Sequence, residues 1–273
     1  MNKDFIFIEC LLLCFLLGCK SVVQKEDLIF QARQIKGSEP GKSLKPFVSD
    51  FSSLPNKEKL VYKATFLGLS IGKFIIMNNG KRMLNGQEVY CFELTVKTLP
   101  FFSILFKTKN RYVSYMDAQK LVILRHEEYI KGGTFLESAV DFDYNFYTAK
   151  YKYFIDQKEI VVKIPDKLLD VLSGIYYLRM LPLELGDTVD INIYADQKIY
   201  NYTGFLSAKT EVNLPNYGKQ EAYCFEPYLF LDGTQIKNIS AETFFSTANP
   251  SKTLRATLKT LLGNVNVLLM KGY

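Results

Sequence analysis

Apolar and polar residues alternate along most of this chain with a period of two. The pattern is already clear in Lys59–Asn79, where Gly68 and Gly72 punctuate a hairpin. Asn85-Gly86-Gln87 marks a turn, and Glu88–Thr98 reads as the next strand. The apolar run Leu99–Phe106 predicts a bend or a short helix. Alternation resumes in Lys109–Asp117, breaks at Ala118-Gln119 and continues through Lys120–Lys131 and Gly132–Ile164. It returns from residue 187 to 212, 216 to 231, 236 to 260 and 263 to 271. Runs of this kind, rich in Tyr, Phe, Val and Ile, predict long antiparallel strands.

The stretch Asp170–Asp187, DVLSGIYYLRMLPLELGD, does not follow this period. Leu168, Leu169, Leu172, Ile175, Tyr176 and Leu178 make a broad apolar face at helical spacing. Asp166 or Asp170 can cap its start, and Pro182 limits its end. The sequence therefore predicts a mainly β chain with one central helix near 167–180. A helix this apolar must be covered by the sheet, where it would plug an open roll.

The strands on either side of that helix resemble each other. Gln87–Glu93 (QEVYCFE) and Gln220–Glu226 (QEAYCFE) differ only at Val89 and Ala222, and each follows a glycine turn. At nearly the same offset, Ser114–Lys120 lines up with Ser246–Lys252, and each then reaches a Leu-Arg pair, Leu124-Arg125 and Leu254-Arg255. This predicts two duplicated β-halves, about 58–165 and 188–270, neither able to bury its apolar face alone. Cys91 and Cys224 hold equivalent places in the repeat. They read either as small buried hydrophobes or as a disulfide tying the halves.

The N-terminus carries a different signal. Residues 5–17 are almost wholly apolar, too short to span a bilayer but the right length for a secretory signal. The segment ends Leu16-Leu17-Gly18-Cys19, which resembles a bacterial lipobox. Gly18 fits a peptidase's small pocket, and the Cys19 thiol can form a thioether to a diacylglycerol. The expected organisation is a signal peptide over 1–18, a lipidated cysteine and flexible tether over 19–57, and one β-rich domain over 58–273. Leu28-Ile29-Phe30 is the tether's apolar cluster, a helical turn or a docking point. Lys20 after Cys19 favours outer-membrane over inner-membrane sorting by analogy with enteric lipoproteins.

Composition narrows the chemistry. A net charge of +6 is mild for 273 residues, and the most basic runs, such as Lys107, Lys109 and Arg111, read as ordinary solvated positions. No nucleic-acid motif, CxxC, metal-ligand cluster or cofactor motif is present. His126 is the only histidine, which argues against a catalytic triad or a multi-histidine metal site. Glu127, Glu128, Asp141 and Asp143 are the acids from which a glycan hydrolase could be built. Arg179 reads either as a structural arginine bonding strand-end carbonyls or a carboxylate, or as a ligand for an anion or lipid headgroup at the roll's mouth.

Asp170, Leu172, Ser173, Tyr176, Tyr177, Arg179 and Gly186 together resemble the signature of the domain of unknown function 3108 family. The opening LVYKATFLGLSIGKF and the strand-turn near Ser246 fit it as well, so the resemblance covers residues 58 to 270. In that family the last strand-turn often carries acids and a proline, whereas here Asn249-Pro250 stands without an acid. The resemblance implies an exported bacterial protein folded as a spiral β-roll. It brings no established activity and hence no catalytic residue. The expected function is a non-catalytic cell-envelope lipoprotein, facing the periplasm, that binds an apolar or lipid-like ligand. The alternatives are a structural lipoprotein docking an envelope protein partner, then a glycan hydrolase. Tyr176, Tyr177 and Arg179 are expected to hold the roll together or to meet the ligand.

Overall fold

The computed structural model describes residues 51, 53–99, 109–130, 136–153, 159–236, 240–248, 250–260 and 263–272. The signal segment, Gly18, Cys19 and most of the expected tether lie outside the described residues, as does the apolar run after Leu99.

The chain before the helix forms β1 (Glu58–Phe66), β2 (Leu69–Leu84), β3 (Gln87–Thr98), β4 (Lys109–Asp117), β5 (Ile123–Tyr129), β6 (Leu136–Asp143), β7 (Thr148–Tyr153) and β8 (Glu159–Lys163). A two-residue strand, β9 (Leu169–Asp170), leads into α1 (Val171–Met180). Then come β10 (Thr188–Ala195), β11 (Lys198–Leu214), β12 (Gly218–Leu231), β13 (Thr234–Gln235), β14 (Ser240–Ser246), β15 (Thr253–Thr260) and β16 (Gly263–Gly272). All belong to one sheet of 16 strands, in the order β8-β7-β6-β5-β4-β3-β2-β1-β16-β15-β14-β12-β11-β10-β9, with β13 paired to β12.

The alternation read from the sequence sets which side is buried. In β1, Leu60, Tyr62 and Ala64 are buried, and in β2 Phe74 and Ile76 join them. Hairpin turns such as Asn85-Gly86 and Asp232-Gly233 hold both residues at positive φ, the geometry that matches the twist of the flanking strands.

The order β6 to β1 recurs as β16, β15, β14, β12, β11, β10, and β1 pairs with β16 at the join. The two matched heptads lie on corresponding strands, β3 and β12. The second sequence match shifts, however. Cys91 faces Tyr115 and Cys224 faces Phe244, while Tyr115 faces Arg125 and Phe244 faces Arg255. Register thus equates Asp117, not Ser114, with Ser246. Each opens its turn with a backbone bond, Asp117 N to Val122 O at 2.8 Å and Ser246 N to Lys252 O at 2.8 Å.

The sheet curls into a roll that its ladder does not close. Edge strand β9 runs parallel to β10, and Leu168 just before it accepts a backbone bond from Ile123 N of β5 at 2.9 Å. Beyond that point, Ile123, Val140, Phe142, Tyr151, Leu168 and Tyr194 form a small second core. Helix α1 fills the roll. Tyr176 stacks on Phe92 with ring centroids 4.0 Å apart at 11°.

Two expected boundaries move. The helix starts at Val171 rather than near 167, because Leu169 and Asp170 form a short strand that pairs with Ile193 and Tyr194. The domain also begins before residue 58. Phe51 and Leu54 are buried in the main core, Phe51 lies 5.6 Å from Tyr90, and the Pro55 carbonyl accepts from Asn78 Nδ2 at 2.7 Å.

Candidate functional site

Arg179 sits in the last turn of α1 and is 1% exposed. Its Nη1 and Nη2 donate to Glu58 Oε2 and Oε1 at 2.7 and 2.9 Å, and its Nε donates to the Ser251 carbonyl at 2.6 Å. The bidentate fork matches guanidinium to carboxylate geometry. Ser251 returns two bonds to the Arg179 carbonyl, from N and Oγ, both 3.1 Å. Burial works against the guanidinium's charge, but Glu58 outweighs it and raises the Arg179 pKa, so the group stays protonated. Beside the pair, Tyr62 Oη donates to the Thr253 carbonyl at 3.0 Å. Arg179 therefore ties α1 to β1 and to the β14–β15 turn, and its N–H groups already have acceptors inside the protein.

Next to this clamp, between the end of α1 and β11, β12 and β14, lies a pocket of about 270 Å³. Leu178, Leu181, Pro182, Leu183, Leu206, Tyr223 and Phe245 give it apolar walls, while Glu184, Ser246, Thr247 and Ser251 supply polar edges. The chain after α1 shapes one side. Leu181 is extended, as a residue before proline must be, and Gly186 N donates to the Leu206 carbonyl at 2.9 Å. Of the three residues singled out on the helix, Arg179 meets this pocket, Tyr176 packs under Phe92, and Tyr177 faces Phe51 at 6.5 Å.

The other end of α1 carries a second buried charge cluster. Asp170 Oδ1 accepts from Ser173 N at 2.8 Å while Asp170 N donates to Ser173 Oγ at 2.9 Å, a capping box. Oδ1 also accepts from Ser114 Oγ at 2.8 Å, and Oδ2 lies 2.7 Å from His126 Nδ1. His126 Nε2 is 3.3 Å from Glu128 Oε1, and Glu128 Oε2 accepts from Ser138 Oγ at 2.9 Å. Burial pulls the imidazole pKa down, but the bonds and charges of Asp170 and Glu128 win and hold it at about 10. Burial likewise opposes ionisation of Asp170, yet its bonds with His126 and Ser173 keep its pKa below the ordinary 3.8. An imidazole that keeps its proton at neutral pH is no general base. This is a cation clamped between carboxylates.

The acids considered for hydrolysis are divided between the two faces of the sheet. Glu127 and Asp141 both hold Arg125, at 2.7 and 2.6 Å, on the outer face. Glu128 turns inward to His126, and Asp143 caps a turn by accepting from Asn145 N at 2.8 Å. Glu127 and Asp141 share one guanidinium, so a cation occupies the space between those two carboxylates. A wider polar groove of about 560 Å³ borders Asp141 and Asp143, but Lys150, Lys152 and Arg125 line it too. The cysteines are not bonded to each other. Cys91 is a buried thiol on β3 and Cys224 a partly buried one on β12, strands that are not neighbours in the sheet. Burial pushes the Cys91 pKa up, which leaves it an inert thiol.

Sequence reasoning missed both long-range partners. Glu58 lies 121 residues from Arg179, and no local signal links them. The Asp170-Val171-Leu172-Ser173 spacing did signal a helix start, but nothing in it revealed that His126 would meet the same carboxylate.

Comparisons with known proteins agree with this architecture. The β-barrel-like protein of domain of unknown function DUF1849 from Brucella abortus superposes with a TM-score of 0.52 at 12% identity, covering 79% of this chain and 96% of that one. That likeness is one of fold. A candidate exported protein of YmcC-like fold from Bacteroides fragilis reaches a TM-score of 0.35 at 8% identity, over 79% of this chain and 95% of that one. A candidate lipoprotein from Parabacteroides distasonis reaches 0.37 at 8%, over 80% and 96%. Neither superposition is close enough to carry an argument. A comparison with curated proteins gives no match. Residues 61–269 match the family described as protein of unknown function (DUF3108), and this chain belongs to that family.

Proposed function

We propose that this chain is a cell-envelope lipoprotein, anchored through Cys19, whose roll is a non-catalytic binding module for an apolar or lipid-like ligand. The observation that carries the reading is the pocket at the end of α1, with Leu178, Leu181, Leu183, Leu206 and Phe245 as walls and Ser246, Thr247 and Glu184 at the edge. Ligand sites are concave, mostly apolar and given orientation by a few polar groups. At about 270 Å³ it falls just below the usual range of about 300–1,000 Å³ and suits one short acyl chain or a small amphiphile. Arg179 lies behind the pocket and keeps its wall in place rather than binding an anion, since Glu58 and Ser251 occupy its N–H groups. The envelope location rests on Leu16-Leu17-Gly18-Cys19 and the apolar segment before it.

A fluorescent medium-chain fatty acid added to the full-length protein tests the pocket. Its emission should rise on binding, and Ala248→Trp, at the exposed pocket edge, should abolish the rise without changing the melting curve. Equal binding by parent and variant, or none by either, would remove the reading. Docking of an envelope protein would then be the reading left.

A further inference from the structure

The outer face of β1–β4 carries an arrangement that folding by itself opposes. Register pairs Lys63 with Lys73, Lys73 with Lys97 and Lys97 with Lys109, so four lysines lie side by side across four adjacent strands. Their chain neighbours Tyr62, Phe74, Val96 and Asn110 are buried, so the lysines point outward. Directly opposed residues have Cβ atoms about 4.5–5.5 Å apart, and like charges there destabilise a sheet. Among the described residues none of the four has a carboxylate within ion-pair reach. By contrast Lys81, Lys152, Lys209, Lys219 and Lys259 each have one at 2.7–3.4 Å.

A second unfavourable feature lies at the tip of the same hairpin. The β1–β2 turn is Leu67-Gly68, with Leu67 at φ +48° and 68% exposed, and Leu69 beside it 61% exposed. Asn or Asp is the residue that accepts this backbone cheaply, and the turns at Asn85-Gly86 and Asp232-Gly233 use them. At about 3.3 Å per residue the tip stands about 13 Å beyond the lysine row, a gap that long lysine side chains partly span. An apolar point backed by a band of cations matches a bilayer surface, with hydrocarbon for the leucines and phosphate for the lysines.

We propose that this end of the roll docks on an anionic lipid bilayer. Leu67 and Leu69 enter the headgroup boundary, and Lys63, Lys73, Lys97 and Lys109 lie against lipid phosphates. The lysines alone would suit any polyanion; the exposed leucines at the tip favour the bilayer. The ligand pocket sits near Arg179 and Glu58, at the opposite end of β1 from Leu67, so a docked roll turns that pocket away from the membrane. The docking surface goes beyond the ligand reading and stands without it.

The chain has no Trp, so Leu67→Trp provides a sole indole reporter at the tip. Full-length Leu67→Trp protein is mixed with vesicles of equimolar phosphatidylglycerol and phosphatidylcholine, and with vesicles of phosphatidylcholine alone. The readout is the depth of the tip, so anchoring elsewhere in the chain does not mimic it. The indole emission should shift to the blue on anionic vesicles only, be quenched by brominated lipid, and return in high salt. Adding Lys63→Gln, Lys73→Gln, Lys97→Gln and Lys109→Gln should raise the lipid concentration needed for half of the shift by about fivefold per lysine. That variant should melt at or above the parent temperature, since it removes like-charge contacts. An indole that stays in water on both vesicles overturns the proposal, and so does a shift indifferent to the four lysines. Lysine-dependent binding to soluble polyglutamate with no shift on vesicles would assign the surface to an acidic protein instead.

Discussion

At the start of α1, Asp170 accepts from Ser114, Ser173 and His126; at its end, Arg179 donates to Glu58 and the Ser251 carbonyl. Both clusters are buried, and both tie one helix to strands far away in sequence. They differ in the cation they hold. The first holds an imidazolium, whose stabilising contribution fades as pH rises from about 6.5 toward 10, and the second a guanidinium that its carboxylate partner keeps protonated. They differ also in what lies beside them. His126 and Asp170 are packed between Tyr112, Tyr194 and the second core, whereas Arg179 backs the pocket at the end of α1. Buried charge here fixes the helix at both ends, and the Arg179 end adjoins a cavity.

The sharpest way to break the comparison is to leave one buried charge alone. Glu58→Ala should cost about 3–5 kcal/mol, because it strands Arg179 in the core, and urea unfolding will measure it. The double variant Glu58→Leu with Arg179→Met should recover much of that loss, since apolar replacements of a buried pair are often neutral or stabilising. Phe92→Ala removes the ring under Tyr176 and should cost about 3–5 kcal/mol by the same measurement, a packing loss to set beside the electrostatic ones.

His126→Gln should cost less, about 1–3 kcal/mol, because an amide still reaches Asp170 but brings no charge. Its pH dependence separates the two ends. The His126 pKa is raised from 6.5 to about 10, so its contribution is complete below about pH 6.5 and is lost as pH rises toward 10. Asp170 is lowered from 3.8, so its contribution is present above pH 3.8 and is lost as pH falls through its native value. Stability should therefore form a plateau between these limits and decline on the alkaline side. In His126→Gln the alkaline decline should flatten, while in the Glu58→Leu/Arg179→Met double variant it should persist. Thermal melts across the pH range will show whether it does. The smallest effect belongs to the cysteines. A reducing agent should leave the melting temperature unchanged, and thiol counting on the domain should find Cys91 and Cys224 both as reduced thiols.

The strands, the helix and the paired heptads were legible because each is written in local order. Period-two alternation gives strands, and Leu172, Ile175, Tyr176 and Leu178 at helical spacing give α1. The heptad match named β3 and β12 as counterparts. The Ser114–Ser246 match slipped by three positions because short polar turns share residue types without sharing register. The start of the domain was missed for a related reason. Phe51 and Leu54 sit among Lys, Ser and Pro, and only the docking of Phe51 against Tyr90 and Tyr177 draws them into the core.

By itself the sequence determined that this is a β-rich chain wrapped on one apolar helix, because side-chain period and helix capping act over a few residues. Tertiary structure decided which charges meet. Glu58 finds Arg179, and His126 finds Asp170, only when the sheet curls, since burial in a low dielectric makes such partners obligatory while sequence distance leaves them unspecified. The four lysines are ordinary solvated residues in the linear chain. Strand register places them in one row, and the Leu67 turn stands at the tip of the same hairpin.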